Sequence, residues 1–191
     1  MKTKTNPAMG GASASKKLLA AVAVLAVAFV VLAAIPAVVD DSDAAVEAEE
    51  VKSLDELKGG VSVANFNLKL TADLETSEIL KIEGSGTLDL NGHTISDDGG
   101  TTGSFWVIYI CPDINVTISN GKVEYKTPEA NAGNGAIVTN SKITLNNVTV
   151  NSTEYGVYVA TNGTAIVRNC NIVAGYGAVT GNCKFNGPES Y

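Results

Sequence analysis

The sequence predicts an all-β chain whose main part is a right-handed parallel β-helix, a solenoid of about five coils. A short capping helix precedes it, and an apolar signal or anchor helix precedes that. Three observations predict this. Short alternating apolar runs broken by Asn and Gly fill the chain beyond residue 60. Related segments recur at intervals of about 21 to 28 residues. No helical pattern lies between them, and so short an interval cannot hold a strand together with a crossover of a dozen residues or more.

The elements follow in chain order. Lys2, Lys4, Lys16 and Lys17 are the only charges before Asp40, and they precede the uncharged run LLAAVAVLAVAFVVLAAIPAVV over 18–39. A basic region before an apolar one is the pattern of a secretory signal, with small-residue cleavage points after Ala37 or Ala45. The run is also long enough for an uncleaved membrane anchor, which needs about 20 apolar residues. Lysines before it and acids after it place the N-terminus inside in either case. Residues 1–39 are therefore read as signal or anchor, 40–51 as an acidic linker, and 52–191 as the β-helix domain outside the cell or at its surface.

Four of the 13 Lys and Arg precede Asp40, so residues 40–191 carry nine against 20 acidic residues, a net charge of −11. That balance excludes a nucleic-acid phosphate surface, which needs clustered Lys and Arg. It suits solubility at a cell surface. Cys111, Cys170 and Cys183 form an odd set with no zinc-site spacing, and they read as small buried residues.

Ser53 and Glu56 make a capping box, and Gly59–Gly60 would end the helix, so a short helix is expected over 53–58. The repeats begin after it. LDLNGHTI (88–95), VTISNGKV (116–123), ITLNNVTV (143–150) and IVRNCNI (166–172) align Leu90, Ile118, Leu145 and Val167, then Ile95, Val123, Val150 and Ile172. Between these apolar positions lies a structural column of Gly92, Asn120, Asn147 and Asn169. Asn tolerates a left-handed turn, and stacked Asn side chains can hydrogen-bond along a column. A second series aligns Gly135, Gly156 and Gly177, with WVIYICPDINV (106–116) as a looser member.

The segment ILKIEGSGTLDLNGHTIS resembles the first coils of pectate-lyase-like right-handed β-helix proteins, and NNVTV and RNCNI resemble their later coils. SLDELK followed by NLKLTADL resembles the capping helix and first coil of adhesin-like surface proteins with that fold. The resemblance covers roughly residues 46–185 and implies a fold more than a function, because this fold carries lyases, hydrolases, epimerases and non-catalytic adhesins. Such domains usually have more coils and a C-terminal cap. Here Cys183–Phe185 starts a coil that NGPESY does not complete. Three explanations compete, a fragment of a larger product, an end that pairs with another chain to give end-to-end self-association, or a disordered last coil, and the first two are preferred.

The family implies chemistry that the residues supply only weakly. Lyases of this type use carboxylates on Ca²⁺ with an Arg or Lys base, and Ca²⁺ takes six to eight oxygens. Glycosidases pair two carboxyls. Asp89 points away from the core, and Asp97, Asp98 and Asp113 read as loop acids. Asp89, Asp97 and Asp98 would make a weak acid or Ca²⁺ site if loop 96–104 folded back, although solvated turn acids are preferred. Arg168, the only arginine, is a weak catalytic candidate beside these acids, although a solvated surface residue is preferred, and His93, the only histidine, reads as a corner residue. No cofactor is expected, with Ca²⁺ the alternative.

Phe105, Trp106, Tyr109, Tyr125, Tyr155, Tyr158 and Tyr176 recur in one region of the repeats. Core packing is preferred over glycan contact, and strict alternation puts Trp106 on the face of Ile108 and Ile110. Four N-x-S/T sequons occur. Asn115, Asn151 and Asn162 are glycosylation candidates, the last two in apparent loops, while Asn147 belongs to the Asn column.

The function expected is an exported, non-catalytic surface protein with an adhesive, glycan-contacting or envelope-structural role. Its partner would be an extracellular polysaccharide or cell-surface molecule, and it would touch the membrane only through the N-terminal helix. The alternative is a carbohydrate-active lyase or hydrolase, or a fragment of a larger adhesin.

Overall fold

The computed structural model describes residues 47–99, 104–127 and 133–181. The apolar run 18–39, the cleavage points and Cys183–Phe185 lie outside the described residues. In chain order the described elements are β1 (Glu49–Val51), α1 (Leu54–Gly60), β2 (Phe66–Leu70), β3 (Leu74–Thr76), β4 (Leu80–Ile82), β5 (Gly86–Asp89) and β6 (Thr94–Asp97). There follow β7 (Trp106–Ile110), β8 (Asn115–Tyr125), β9 (Gly135–Thr139), β10 (Lys142–Ser152), β11 (Tyr155–Val159), β12 (Thr164–Arg168), β13 (Asn171–Ala174) and β14 (Gly177–Gly181).

The strands form two parallel sheets. One has nine strands along the path β1-β2-β5-β8-β10-β12, with β13 beside β10 and β6 bridging β3 and β8. The other has five strands in the order β14-β11-β9-β7-β4. This corrects the expected fold. The two sheets do not close on one another, and the right-handed β-helix, or solenoid, is not what these strands form. The physical reason is that repeat spacing fixes which residues pair, whereas closure depends on the angle of every turn. The turns here differ in length from repeat to repeat. Among the described residues no helix is long and apolar enough to cross a membrane, and the run expected to form one, 18–39, lies outside them.

The helix forms where its cap signals stand. Ser53 Oγ accepts the Glu56 N–H at 3.3 Å, and Glu56 Oε2 accepts the Lys52 N–H at 2.9 Å. Gly59 and Gly60 fall inside α1 instead of ending it, and Val61 makes the cap. Gly60 permits a close approach, since a Cβ there would stand 2.7 Å from Leu68 Cδ1. Strand β1 lies within the stretch read as an acidic linker and pairs with β2.

Side-chain pattern sets the pairing register. Leu68, Leu88, Ile118 and Leu145 lie opposite one another in the core and are fully or almost fully buried, with Val167 half-buried at the end of the row. Ile95, Val123, Val150 and Ile172 form the second row, as aligned from sequence. Leu88, not Leu90, takes the position opposite Ile118. Leu88 pairs with Ile118 while Thr94 pairs with Lys122, so the first repeat holds two more residues at its turn than the next.

Candidate functional site

The five-stranded sheet carries the site. Leu80, Ile108, Ile137, Val157 and Val179 pair in register and face the core. Lys81, Tyr109, Val138, Tyr158 and Thr180 form the adjacent row on the other face. Alternation then breaks. Val107 and Ile108, Ala136 and Ile137, and Gly156 and Val157 are consecutive buried pairs. Gly156 has no register partner, and Tyr155, not Gly156, lies opposite Gly135 and Gly177. The register still advances by two residues on every strand, so each pair marks a bend that all the strands share and not a bulge in one of them.

Trp106 therefore sits on the outer face with Tyr158, whose ring centroid is 5.9 Å away, and not on the face of Ile108 and Ile110. It stacks on Tyr155 at 6.5 Å and 24°, across Gly135. Tyr155 meets Tyr158 at 6.3 Å and 66° and Tyr176 at 5.9 Å and 43°. Tyr158 is 39% exposed and Tyr176 64%. Tyr109 is half-buried farther along the same face, and its hydroxyl accepts from Asn140 Nδ2 at 2.7 Å. Phe105 and Tyr125 behave otherwise: they are buried and stack at 6.1 Å in the core. The seven aromatics thus divide, two inside and five on the outer face. Alternation alone missed this, and only the doubled inward residues could have signalled it.

The acid candidates do not gather. Asp89 ends β5, where its Oδ1 accepts the Asn91 N–H at 2.9 Å and Asn120 Nδ2 at 3.1 Å. Asp97, read as a loop acid, is fully buried at the end of β6. Its carboxylate accepts the backbone N–H of Lys126 and of Thr127 and the Thr127 hydroxyl. Asp98 is exposed, and its N–H bonds Thr76 O. Arg168 ends β12 and is exposed. Asp89, Ser119, Asn146 and Arg168 occupy successive strands in register, which sets Asp89 and Arg168 about 14 Å apart at the backbone. Among the described residues no group of three or more His, Cys, Asp or Glu could hold a metal ion, Ca²⁺ included.

The turn column follows the left-handed backbone. Asn91, Asn120, Asn147 and Asn169 have φ of 50°, 56°, 57° and 53°, and Gly92 has 85°. Asn147 Nδ2 donates to Asn120 Oδ1 at 3.2 Å, and Asn120 donates to Asp89. Asn91, not singled out from sequence, joins the column and donates to Leu70 O. Gly92, Asn120, Lys122, Asn147, Thr149 and Asn151 line a shallow open groove of about 590 Å³. Beside it His93 Nδ1 lies 3.2 Å from Asp73 Oδ1, a partner twenty residues away that no local motif announces. The Thr94 N–H and then His93 hold the Asp73 carboxyl below its ordinary value.

Of the sequon residues, Asn115 is exposed at the start of β8 and Asn162 in the turn before β12. Asn151 is half-buried within β10, opposite Glu124 and Val173, and not in a loop. Cys111 and Cys170 are free thiols, and burial pushes the Cys111 thiol up.

Comparison with known proteins returns no matching family model, no matching curated protein and no matching solved structure. No relative supports the resemblance to pectate-lyase-like or adhesin-like proteins.

Proposed function

We propose that this chain is an exported, non-catalytic protein that contacts a neutral polysaccharide through the outer face of its five-stranded sheet. The observation that carries the reading is the row of Trp106, Tyr155, Tyr158 and Tyr176, in mutual contact and partly open to solvent. An aromatic face is electron-rich, and a pyranose ring presents a face of polarised C–H bonds that fits it. The tyrosine hydroxyls supply polar edges beside the rings. Lys81 is the one charged residue in the outward row Lys81, Tyr109, Val138, Tyr158 and Thr180, and residues 40–191 are strongly acidic, which disfavours a polyanion. The engagement of Asp89 and Asp97 in turn-holding bonds supports a binding role over acid–base chemistry.

Trp106 is the only tryptophan, so its emission reports from the face itself. The full chain, titrated with neutral and uronic-acid polysaccharides, is expected to change Trp106 emission with the neutral ones. Removal of one ring, as in Trp106→Ala or Tyr176→Ala, should weaken binding about tenfold, read for the tryptophan variant by calorimetry. Release of reducing or unsaturated ends would replace this reading with an enzyme. Absence of binding by a folded sample would remove the glycan from it.

A further inference from the structure

We infer that Asn134 and Glu154 form a buried site for one water molecule beside the aromatic row. Both residues are 1% exposed. They precede Gly135 and Tyr155, and Phe105 takes the same position before Trp106. Each side chain reaches back by one strand. Asn134 Oδ1 accepts the Phe105 N–H at 2.7 Å, and Glu154 Oε2 accepts the Asn134 N–H at 3.0 Å. Backbone bonds run alongside, from Gly135 N to Phe105 O, Tyr155 N to Asn134 O and Tyr176 N to Glu154 O.

Among the described residues, those bonds leave one atom of each group without a hydrogen-bond partner, Asn134 Nδ2 and Glu154 Oε1. A buried amide or carboxylate oxygen without a partner is destabilising, and buried water commonly resolves such cases. The chemistry selects the ligand. The bond from Phe105 fixes the Asn134 amide with its oxygen toward Phe105, so only its N–H₂ donor faces the site. A metal ion or ammonium cannot accept from that donor, and an anion is repelled by Glu154. The occupant must accept from Asn134 and donate to Glu154, and burial limits it to the size of water. The two groups hang from strands about 4.8 Å apart, which two water hydrogen bonds at a tetrahedral angle can span. Bound there, the water joins β7, β9 and β11 at the corner from which Trp106 and Tyr155 project. The site stands whether or not the aromatic face binds glycan.

Water-to-amide cross-relaxation on the ¹⁵N-labelled full chain tests this. A long-lived buried water should give NOE and ROE cross-peaks of opposite sign between the water resonance and the Asn134 side-chain N–H₂. Their absence, with the Asn134 resonance assigned and slow to exchange, would overturn the site. Asn134→Asp removes that N–H₂ and sets an acceptor against Glu154, so it is read by Tm alone, which should fall by about 5 °C. Glu154→Gln must keep its oxygen toward the Asn134 N–H and so presents N–H₂ where Oε1 stood; a water there can accept from both amides, so the cross-peaks should remain, with a smaller Tm loss than for Asn134→Asp. Equal Tm losses for both, with no cross-peak in the wild type, would show a dry polar contact and defeat the proposal.

Discussion

Trp106 stacks on Tyr155 directly across Gly135, with ring centroids 6.5 Å apart. Gly135 is what lets them meet. A Cβ there would stand 2.8 Å from Trp106 Cζ3 and 2.2 Å from the Tyr155 carbonyl oxygen. The ring could give way, but the backbone oxygen cannot without moving β11. Gly135→Ala should therefore cost about 1–3 kcal/mol in urea unfolding. It should also change the near-ultraviolet circular dichroism of Trp106. An unchanged spectrum with full stability would mean that the rings do not pack over this glycine.

Asn120 combines a left-handed backbone, φ 56°, with two side-chain bonds, to Asp89 and from Asn147. Two substitutions separate these roles. Asn120→Gly keeps the conformation and loses the bonds, at about 1 kcal/mol. Asn120→Ala loses both and should cost about 1–2 kcal/mol more, the strain of a left-handed non-glycine residue. Equal losses in urea midpoint would show that backbone strain is not what selects Asn here.

Asp97 is buried and accepts three hydrogen bonds from Lys126 and Thr127. Asp97→Asn is nearly isosteric but turns one acceptor into a donor that faces donors. Unfolding measurements should show a loss of about 1–3 kcal/mol. Binding to the aromatic face, on the other sheet, should persist in the folded fraction. A stable variant would mean that the turn at 126–127 does not depend on the carboxylate.

Asp73 sets the expected acid response. Its carboxyl lies below its ordinary value because it accepts the Thr94 N–H first and pairs with His93 second. A depressed carboxylate contributes stability that is present above the unfolded pKa and lost as pH falls through the folded one. Denaturation midpoints of the wild type should fall below the ordinary carboxylate range, and Asp73→Asn should flatten that decline. Parallel curves for the two proteins would show that the pair adds nothing to acid stability.

Burial and exposure explain which parts of the candidate site could be foreseen. The recurrence of aromatics at 105–109, 125, 155–158 and 176 was visible as a pattern. Their division between core and surface was not, because Val107, Ala136 and Gly156 break the two-residue period by turning inward beside a second inward residue. Asp97 reads as one of two acids in a Gly-rich turn until Lys126 and Thr127, about thirty residues later, fold over it. The His93–Asp73 and Glu154–Asn134 contacts each join residues twenty positions apart.

The sequence by itself determined the local rules: the Ser53 cap, the left-handed Asn turns at 120, 147 and 169, and the pairing of Ile95, Val123, Val150 and Ile172. Each follows from backbone preference or from the alternation of neighbouring side chains, which act within a few residues. Tertiary structure alone decided that the strands divide into two sheets that do not close. It alone turned Trp106 outward and buried Asp97 and Glu154. Those outcomes depend on turn angles and on contacts between segments twenty to thirty residues apart, which no local pattern of side chains encodes.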